Sequence, residues 1–313
     1  MKRLAVAAAG SALLLPVVSG CAAFTDDSVG LDNGVQVAAA FYPLQYVATR
    51  VAGDHAEVTN LSSAQGEPHD LELTPKETAE VAESDLVVYE RGFQPAVDDA
   101  VDTNAAGATL NVADVVQLQP ADAHDHEHEG DTHAEDDGHD HGDVDPHFWQ
   151  DPLLMADVGD AVADELAKVD PTHADDYHAN AAALRSDLED LDQQYAAGLA
   201  DCTRHTVVVS HAAFGYLSRY GLEFEPINGL SPDAEPTPAD LAHLQEVIRD
   251  DGITTVFYES LVSPDIAEQL ASDTGASVAV LDPIEGLTDQ TADEDYLSLM
   301  KANLAALEEA NGC

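Results

Sequence analysis

Six short strand-like runs set the terms for any fold this chain can adopt. They cover residues 35–40, 57–61 and 86–89 in the first half and 206–209, 254–258 and 277–281 in the second. Amphipathic stretches separate most of them. Short, mostly apolar runs spaced by helical patterns are the mark of strands covered by helices on both faces, as in parallel sheets. The expected class is α/β. The chain has 313 residues, enough for two domains at about 150 residues each.

Between the two halves runs a helical pattern. Pro171 follows Asp170 at a plausible first-turn position. Ala174, Tyr177, Ala181, Leu184, Leu188, Leu191, Tyr195 and Leu199 then recur at spacings of three and four, with Asp and Glu on the opposite face. A helix of that length reaches about 40 Å at 1.5 Å per residue, enough to run along both domains. An ordinary surface helix of one domain fits the same pattern.

The first twenty residues read as a secretory signal. Lys2 and Arg3 precede an apolar run to Val18, and small residues, Ser19 and Gly20, lead to Cys21. The run is too short for a transmembrane helix, which needs about 20 apolar residues. The pattern before Cys21 resembles a bacterial lipobox, in which the cysteine is lipidated and becomes the mature N-terminus. If so, Cys202 and Cys313 remain as an even pair in an oxidising compartment, and a disulfide between them is expected. Residues 25–34 then serve as a polar tether.

With 61 acidic and 11 basic side chains, the formal charge is −50. Such a field repels phosphate backbones, so nucleic acid is excluded as a partner and cations are the natural ligands. Residues 121–143 are apart from the rest: His124, His126, His128, His133, His139 and His141 stand among Asp, Glu and Gly with almost nothing apolar. A segment of this composition is expected to be a mobile loop that captures divalent metal loosely.

Three further histidines sit in motif-like settings. His69 lies in Gly66-Glu67-Pro68-His69-Asp70, His147 in Asp145-Pro146-His147-Phe148-Trp149, and His211 in Ser210-His211-Ala212-Ala213-Phe214, where a strand ends. Leu281-Asp282-Pro283-Ile284-Glu285-Gly286 follows another strand. The carboxyl ends of strands are where open α/β sheets bind ligands. Singly, each histidine reads as a hydrogen-bonded structural residue.

Together these motifs, with Gly229-Leu230-Ser231-Pro232-Asp233-Ala234-Glu235-Pro236 and Glu259-Ser260, resemble the ZnuA/TroA-like (cluster A-I) solute-binding proteins of metal ABC transporters, from about Val35 to Cys313. The resemblance implies two α/β lobes, each with a central mostly parallel sheet, joined by one long rigid helix, with metal held between them. It implies His69 and His147 as ligands from the first lobe and His211 from the second. For the fourth ligand it favours Glu285, with Asp282 the nearby candidate and water a third option.

The expected organisation is a signal peptide at 1–20, a lipid anchor and tether at 21–34, an N-terminal lobe at 35–150 with the loop at 122–143, a connecting helical region at 151–200 and a C-terminal lobe at 201–313. Three imidazoles and a carboxylate favour Zn²⁺ in tetrahedral coordination; a manganese site would carry more oxygen ligands. The implied protein is a monomer, lipid-anchored on the outer face of the cell membrane, that delivers Zn²⁺ to an ABC permease with its ATPase. Rival readings are a manganese or iron member of the same family, a zinc-binding surface adhesin or buffer, and an exported zinc hydrolase. The last lacks a His-Glu-x-x-His motif, so no enzyme is expected.

Overall fold

A computed structural model describes residues 34–62, 66–121, 144–232 and 234–313. The signal segment, Cys21 and the six histidines of the 122–143 loop lie outside the described residues.

The first lobe is built on four parallel strands in the order β2-β1-β3-β4: β1 (Val35–Ala39), β2 (Ala56–Asn60), β3 (Leu86–Tyr89) and β4 (Ala108–Asn111). Helices α1 (Tyr42–Ala52), α2 (Pro75–Glu83) and α3 (Pro95–Asn104) make the crossovers. Every residue of β3 is buried, which is why its sequence shows no polar alternation. Helix α2 starts where Thr74 and Glu77 form a reciprocal capping box ahead of Pro75.

A two-residue antiparallel pair, β5 (Gln119–Pro120) with β6 (Val144–Asp145), flanks the undescribed loop. Next come α4 (Pro152–Val169) and α5 (Ala174–Gly198), packed on each other. The second lobe repeats the first: β7 (Thr206–Val209), β8 (Glu223–Pro226), β9 (Thr255–Tyr258) and β10 (Ser277–Val280) lie parallel in the order β10-β9-β7-β8. Helices α6 (Pro238–Asp250) and α7 (Asp265–Thr274) separate them, and α8 (Tyr296–Asn311) closes the chain.

All six expected strands are present: two coincide with the expected bounds, three differ by a residue at one end and one is displaced by a residue. Four more escaped the sequence reading: the two-residue β5 and β6, and the edge strands β4 and β8, which lack the apolar run that the edge strand β10 keeps. Glu223 and Gly107–Ala108 show no buried run to detect, and edge positions tolerate polar residues. The helix read from Pro171 begins instead with a single 3₁₀ turn at Pro171–His173 before α5 proper. The stripe faces inward as read: Tyr177, Ala181, Leu184, Leu188, Leu191, Tyr195 and Leu199 are all buried.

Helix α5 serves both lobes, which rules out the surface-helix alternative. Near its start Asn180 Nδ2 donates to the Val51 carbonyl at 3.0 Å, and Arg50 pairs with Asp187 at 2.6 Å. Near its end Tyr195 Oη donates to the Met300 carbonyl at 2.7 Å. One apolar core runs without a break from the first sheet through Phe148 and Trp149 to Phe257, Leu281 and Ile284 of the second lobe. A smaller cluster, including Val208, Leu244, Val256 and Leu270, covers the far face of the second sheet. Cys202, just past α5, is bonded to Cys313, as the cysteine count anticipated. No helix among the described residues is long and apolar enough to cross a membrane.

Candidate metal centre

Each chemical group of the site leaves the carboxyl end of a strand or the loop after it. His69 lies in the β2–α2 connection, where Gln94 Nε2 donates to the Pro68 carbonyl at 3.1 Å and the Phe93 ring meets the imidazole edge-on at 4.7 Å between centroids. His147 follows β6 directly. His211 follows β7, the strand flanked by β8 on one side and β9 on the other, the position where the strand order reverses and a crevice opens. Glu285 lies in the loop between β10 and α8.

The donor atoms of these four residues converge. His69 Nε2 and His147 Nε2 are 3.3 Å apart, and His147 Nε2 and His211 Nε2 are 3.4 Å apart. Glu285 Oε1 lies 3.3 Å from His69 Nε2 and 3.4 Å from the Nε2 atoms of His147 and His211. A tetrahedron of ligands about 2.0–2.1 Å from a central Zn²⁺ has edges of about 3.3–3.4 Å. All four residues are buried, none more than 2% exposed.

Two of the imidazoles are oriented from behind. His147 Nδ1 donates to Asp145 Oδ1 at 2.7 Å, and His211 Nδ1 donates to Glu259 Oε1 at 2.6 Å. A carboxylate on Nδ1 leaves Nε2 as the lone-pair nitrogen and raises its basicity. Asp145 stands two residues before His147, and Glu259 ends the Thr-Val-Phe-Tyr run of β9. Both were visible as parts of motifs, but one sequence gives no means of seeing which imidazole each would meet.

Asp282 is not in the cluster. Its carboxylate accepts from Ser260 Oγ and from the Ile284 amide, both at 2.8 Å, while its backbone is bonded to Asn303. It shapes the loop, and Glu285 occupies the fourth corner. Between them Ile284 has φ of 63°, the only positive φ outside glycine among the described residues. A buried β-branched residue in that region is strained.

The charges around the cluster are strongly coupled. Burial lowers the His69 imidazole to about 4 against the pull of Glu285. Burial acts the same way on His147 and His211, yet Asp145 and Glu259 respectively overcome it and hold both above the ordinary histidine value. Glu285 is kept well below the usual carboxylate range, despite burial, by hydrogen bonds from His147, His211 and His69. In the ion-free protein, protonation is therefore favoured on His147 and His211 and disfavoured on the Glu285 that faces them. A dication would replace those protons.

The fold and this cluster define a class: a two-lobed binding protein with three imidazoles and one carboxylate enclosed where its lobes meet. The family model described as zinc-uptake complex component A, periplasmic (ZnuA) matches residues 37–310, and the chain belongs to that family of solute-binding proteins. It is 35% identical over 285 residues to the zinc-binding lipoprotein AdcA of Streptococcus pneumoniae, covering 89% of this chain and 56% of that protein. The chain thus spans little more than half the length of that relative. It is 32% identical over 296 residues to the high-affinity zinc uptake system protein ZnuA of Bacillus subtilis, covering 91% and 89% of the two chains. Among solved structures, Zn(II)-bound AdcA from Streptococcus pneumoniae matches with a TM-score of 0.74 at 32% identity, over 90% of this chain and 58% of that one.

Proposed function

We propose that this protein binds one Zn²⁺ between its lobes through His69, His147, His211 and Glu285 and delivers it to an ABC permease and its ATPase for uptake. The observation that carries this reading is the set of five donor separations of 3.3–3.4 Å, which suit a tetrahedral ion of zinc's size. Three nitrogen donors also favour zinc over manganese, a harder ion that prefers oxygen. The names of the relatives, zinc-binding and zinc-uptake proteins, support the same cargo.

In this reading Cys21 carries the lipid that anchors a monomer to the outer face of the membrane, which accords with the lipoprotein name of the AdcA relative. Residues 21–34 tether the body, 35–150 and 201–313 supply the two halves of the site, and 151–200 link them. The His-rich segment 122–143 gathers zinc near the site through His124, His126, His128, His133, His139 and His141. The protein is a carrier and performs no reaction.

The deciding experiment is metal analysis and competitive Zn²⁺ and Mn²⁺ titration of residues 22–313 lacking 122–143. One tightly held zinc, lost on His211→Ala and barely displaced by manganese, is the expected result. No tight site in that protein would leave only a metal-scavenging surface protein.

A further inference from the structure

The four donor groups are sealed in, with side-chain exposures of 1% or less. An incoming ion must first meet some group at the margin of the site. The carboxylates nearest the cluster are unequal candidates. Asp145 is engaged by His147 Nδ1 and Glu259 by His211 Nδ1, so both are committed to holding an imidazole in place.

Glu67 differs in two ways. Its side chain is 17% exposed, against 8% for Asp145 and 1% for Glu259 and Glu285, so it is the carboxylate of this group that reaches furthest toward solvent. It bonds no imidazole: Oε1 accepts the backbone N–H of His69 at 3.0 Å. Its second oxygen, Oε2, is buried without a hydrogen-bond partner, as are Oε2 of Glu259 and Glu285, but those two lie behind or within the enclosed cluster. A buried carboxylate oxygen left unbonded is costly unless something arrives to use it. Glu67 Oε1 also lies 3.9 Å from His69 Nε2, one of the four donor atoms.

We propose that Glu67 is an entry ligand: it takes the hydrated dication at the margin of the site and passes it to His69 and the enclosed donors. The inference rests on the zinc-cargo reading. The ion exchanges part of its water for carboxylate oxygen at Glu67, then the remainder for three imidazoles and Glu285. Glu67 stays outside the final four, which are the residues whose donor atoms all fall within 4.8 Å of one another. Its contribution is to the rate of loading, leaving the number of ions bound unchanged.

The test is stopped-flow mixing of the mature protein with Zn²⁺ alone, followed by fluorescence of Trp149. It is the single tryptophan of the chain, and its ring centroid lies 5.1 Å from that of His147. Glu67→Gln retains a carbonyl oxygen for the His69 amide and replaces the ionisable oxygen, which burial and then Glu285 raise to about 8 in the ion-free protein, by an amide nitrogen that cannot ligate a dication. It is expected to slow zinc association about tenfold, the low end of the on-rate range for clefts lined by one sign of charge, with the one tightly held zinc still bound. Glu67→Asp, which restores a carboxyl ligand, should recover much of the rate. Glu72→Gln, an exposed neighbour, should leave the rate unchanged. An association rate for Glu67→Gln within twofold of wild type would overturn the proposal, as would equal slowing by Glu72→Gln or loss of the bound zinc. Failure of the wild-type protein to take up zinc would instead overturn the cargo reading.

Discussion

Trp149 Nε1 donates to the carbonyl of Pro283 at 2.8 Å. This bond ties the residue two after one metal-site histidine to the residue two before the metal-site glutamate, across the junction of the lobes. Gln150 Nε2 donates to the same oxygen at 2.5 Å. The loop that carries Glu285 is thereby held against the segment that carries His147 by protein groups alone, and strained Ile284 directly follows the shared point of attachment. A site held in its binding geometry beforehand spends less of its binding energy on ordering.

Trp149→Phe therefore tests how far this bond shapes the site. The ring contacts with Phe41 and Phe93 are largely preserved while one donor to Pro283 is lost. A net loss of about 1 kcal/mol is expected, seen as about fivefold weaker zinc binding in competition titrations. Adding Gln150→Ala leaves the Pro283 carbonyl with neither donor and should weaken binding further than the two single changes combined. Wild-type affinity in the double variant would show that the loop holds its position without them.

Glu259→Gln probes the orientation of His211. The amide oxygen can still accept from Nδ1, but the negative charge that raises the imidazole's basicity is gone. Loss of such a partner characteristically costs 10–100-fold, roughly, in metal affinity. The same change should also lower the melting temperature of the ion-free protein, because it leaves the buried His211 imidazolium without its carboxylate partner. Isothermal titration and calorimetric melting distinguish the two effects.

The response to pH follows from the shifts at the cluster. His147 and His211 are raised and Glu285 is depressed. In the ion-free protein the imidazolium–carboxylate pairs stabilise fully below about 6.5, the unfolded histidine value, and that contribution fades as pH rises through the raised values. The Glu285 contribution is present above about 4.5 and is lost in acid. Zinc runs the other way, since it needs both imidazoles neutral. Its affinity, and the rise in melting temperature at fixed free zinc, should both grow as pH rises above 7. His69, lowered to about 4, releases no proton in this range. Calorimetry in buffers of different ionisation enthalpy should report proton release at pH 7; the absence of any would contradict this assignment of charge.

Removing residues 122–143 separates capture from tight binding. The main site is formed by residues outside that segment, so its Kd should change by less than threefold, whereas the number of weakly bound zinc ions should fall. A hundredfold loss at the main site would mean that the segment contributes to the site itself.

How much of this was legible in the sequence depended on which interaction set each feature. The central strands show because β3 and β7 are buried on both faces, so Leu86-Val87-Val88-Tyr89 and Thr206-Val207-Val208-Val209 carry almost no polar residues. Strands β4 and β8 left no trace because Ala108-Thr109-Leu110-Asn111 and Glu223-Phe224-Glu225-Pro226 hold no apolar run, whereas β2 and β10, edges as well, were read. The helix stripe from Tyr177 to Leu199 was readable because α5 buries one face along its whole length. The histidines that the fold brings together were singled out through motifs, and the preference for Glu285 over Asp282 came from the resemblance alone. Only tertiary contacts could decide it: Ser260 and Ile284 engage Asp282 locally, while Glu285 is turned inward past a residue with positive φ. The pairing of His211 with Glu259 joins residues 48 positions apart, a distance at which local pattern carries no information.

The disulfide supplies the last prediction. Cys202 and Cys313 are 111 residues apart, and closing a loop of that length stabilises a fold by about 3–5 kcal/mol, chiefly by restricting the unfolded chain. The bridge joins the end of α5 to the end of α8, where Thr203 Oγ1 and the Arg204 guanidinium already donate to the carbonyls of Asn311 and Ala310. The folded ends would stay together without the bridge, so its loss acts mainly on the unfolded state. Replacing both cysteines by serine should lower the melting temperature by about 6–15 °C for a chain of this size while changing zinc affinity less than threefold. The four metal-site residues sit at the carboxyl ends of strands and in the β10–α8 loop, whereas the bridge closes beside the C-terminus of α8. A large loss of zinc affinity in the oxidation-proof variant would show instead that the anchored end of α8 holds the Glu285 loop in position.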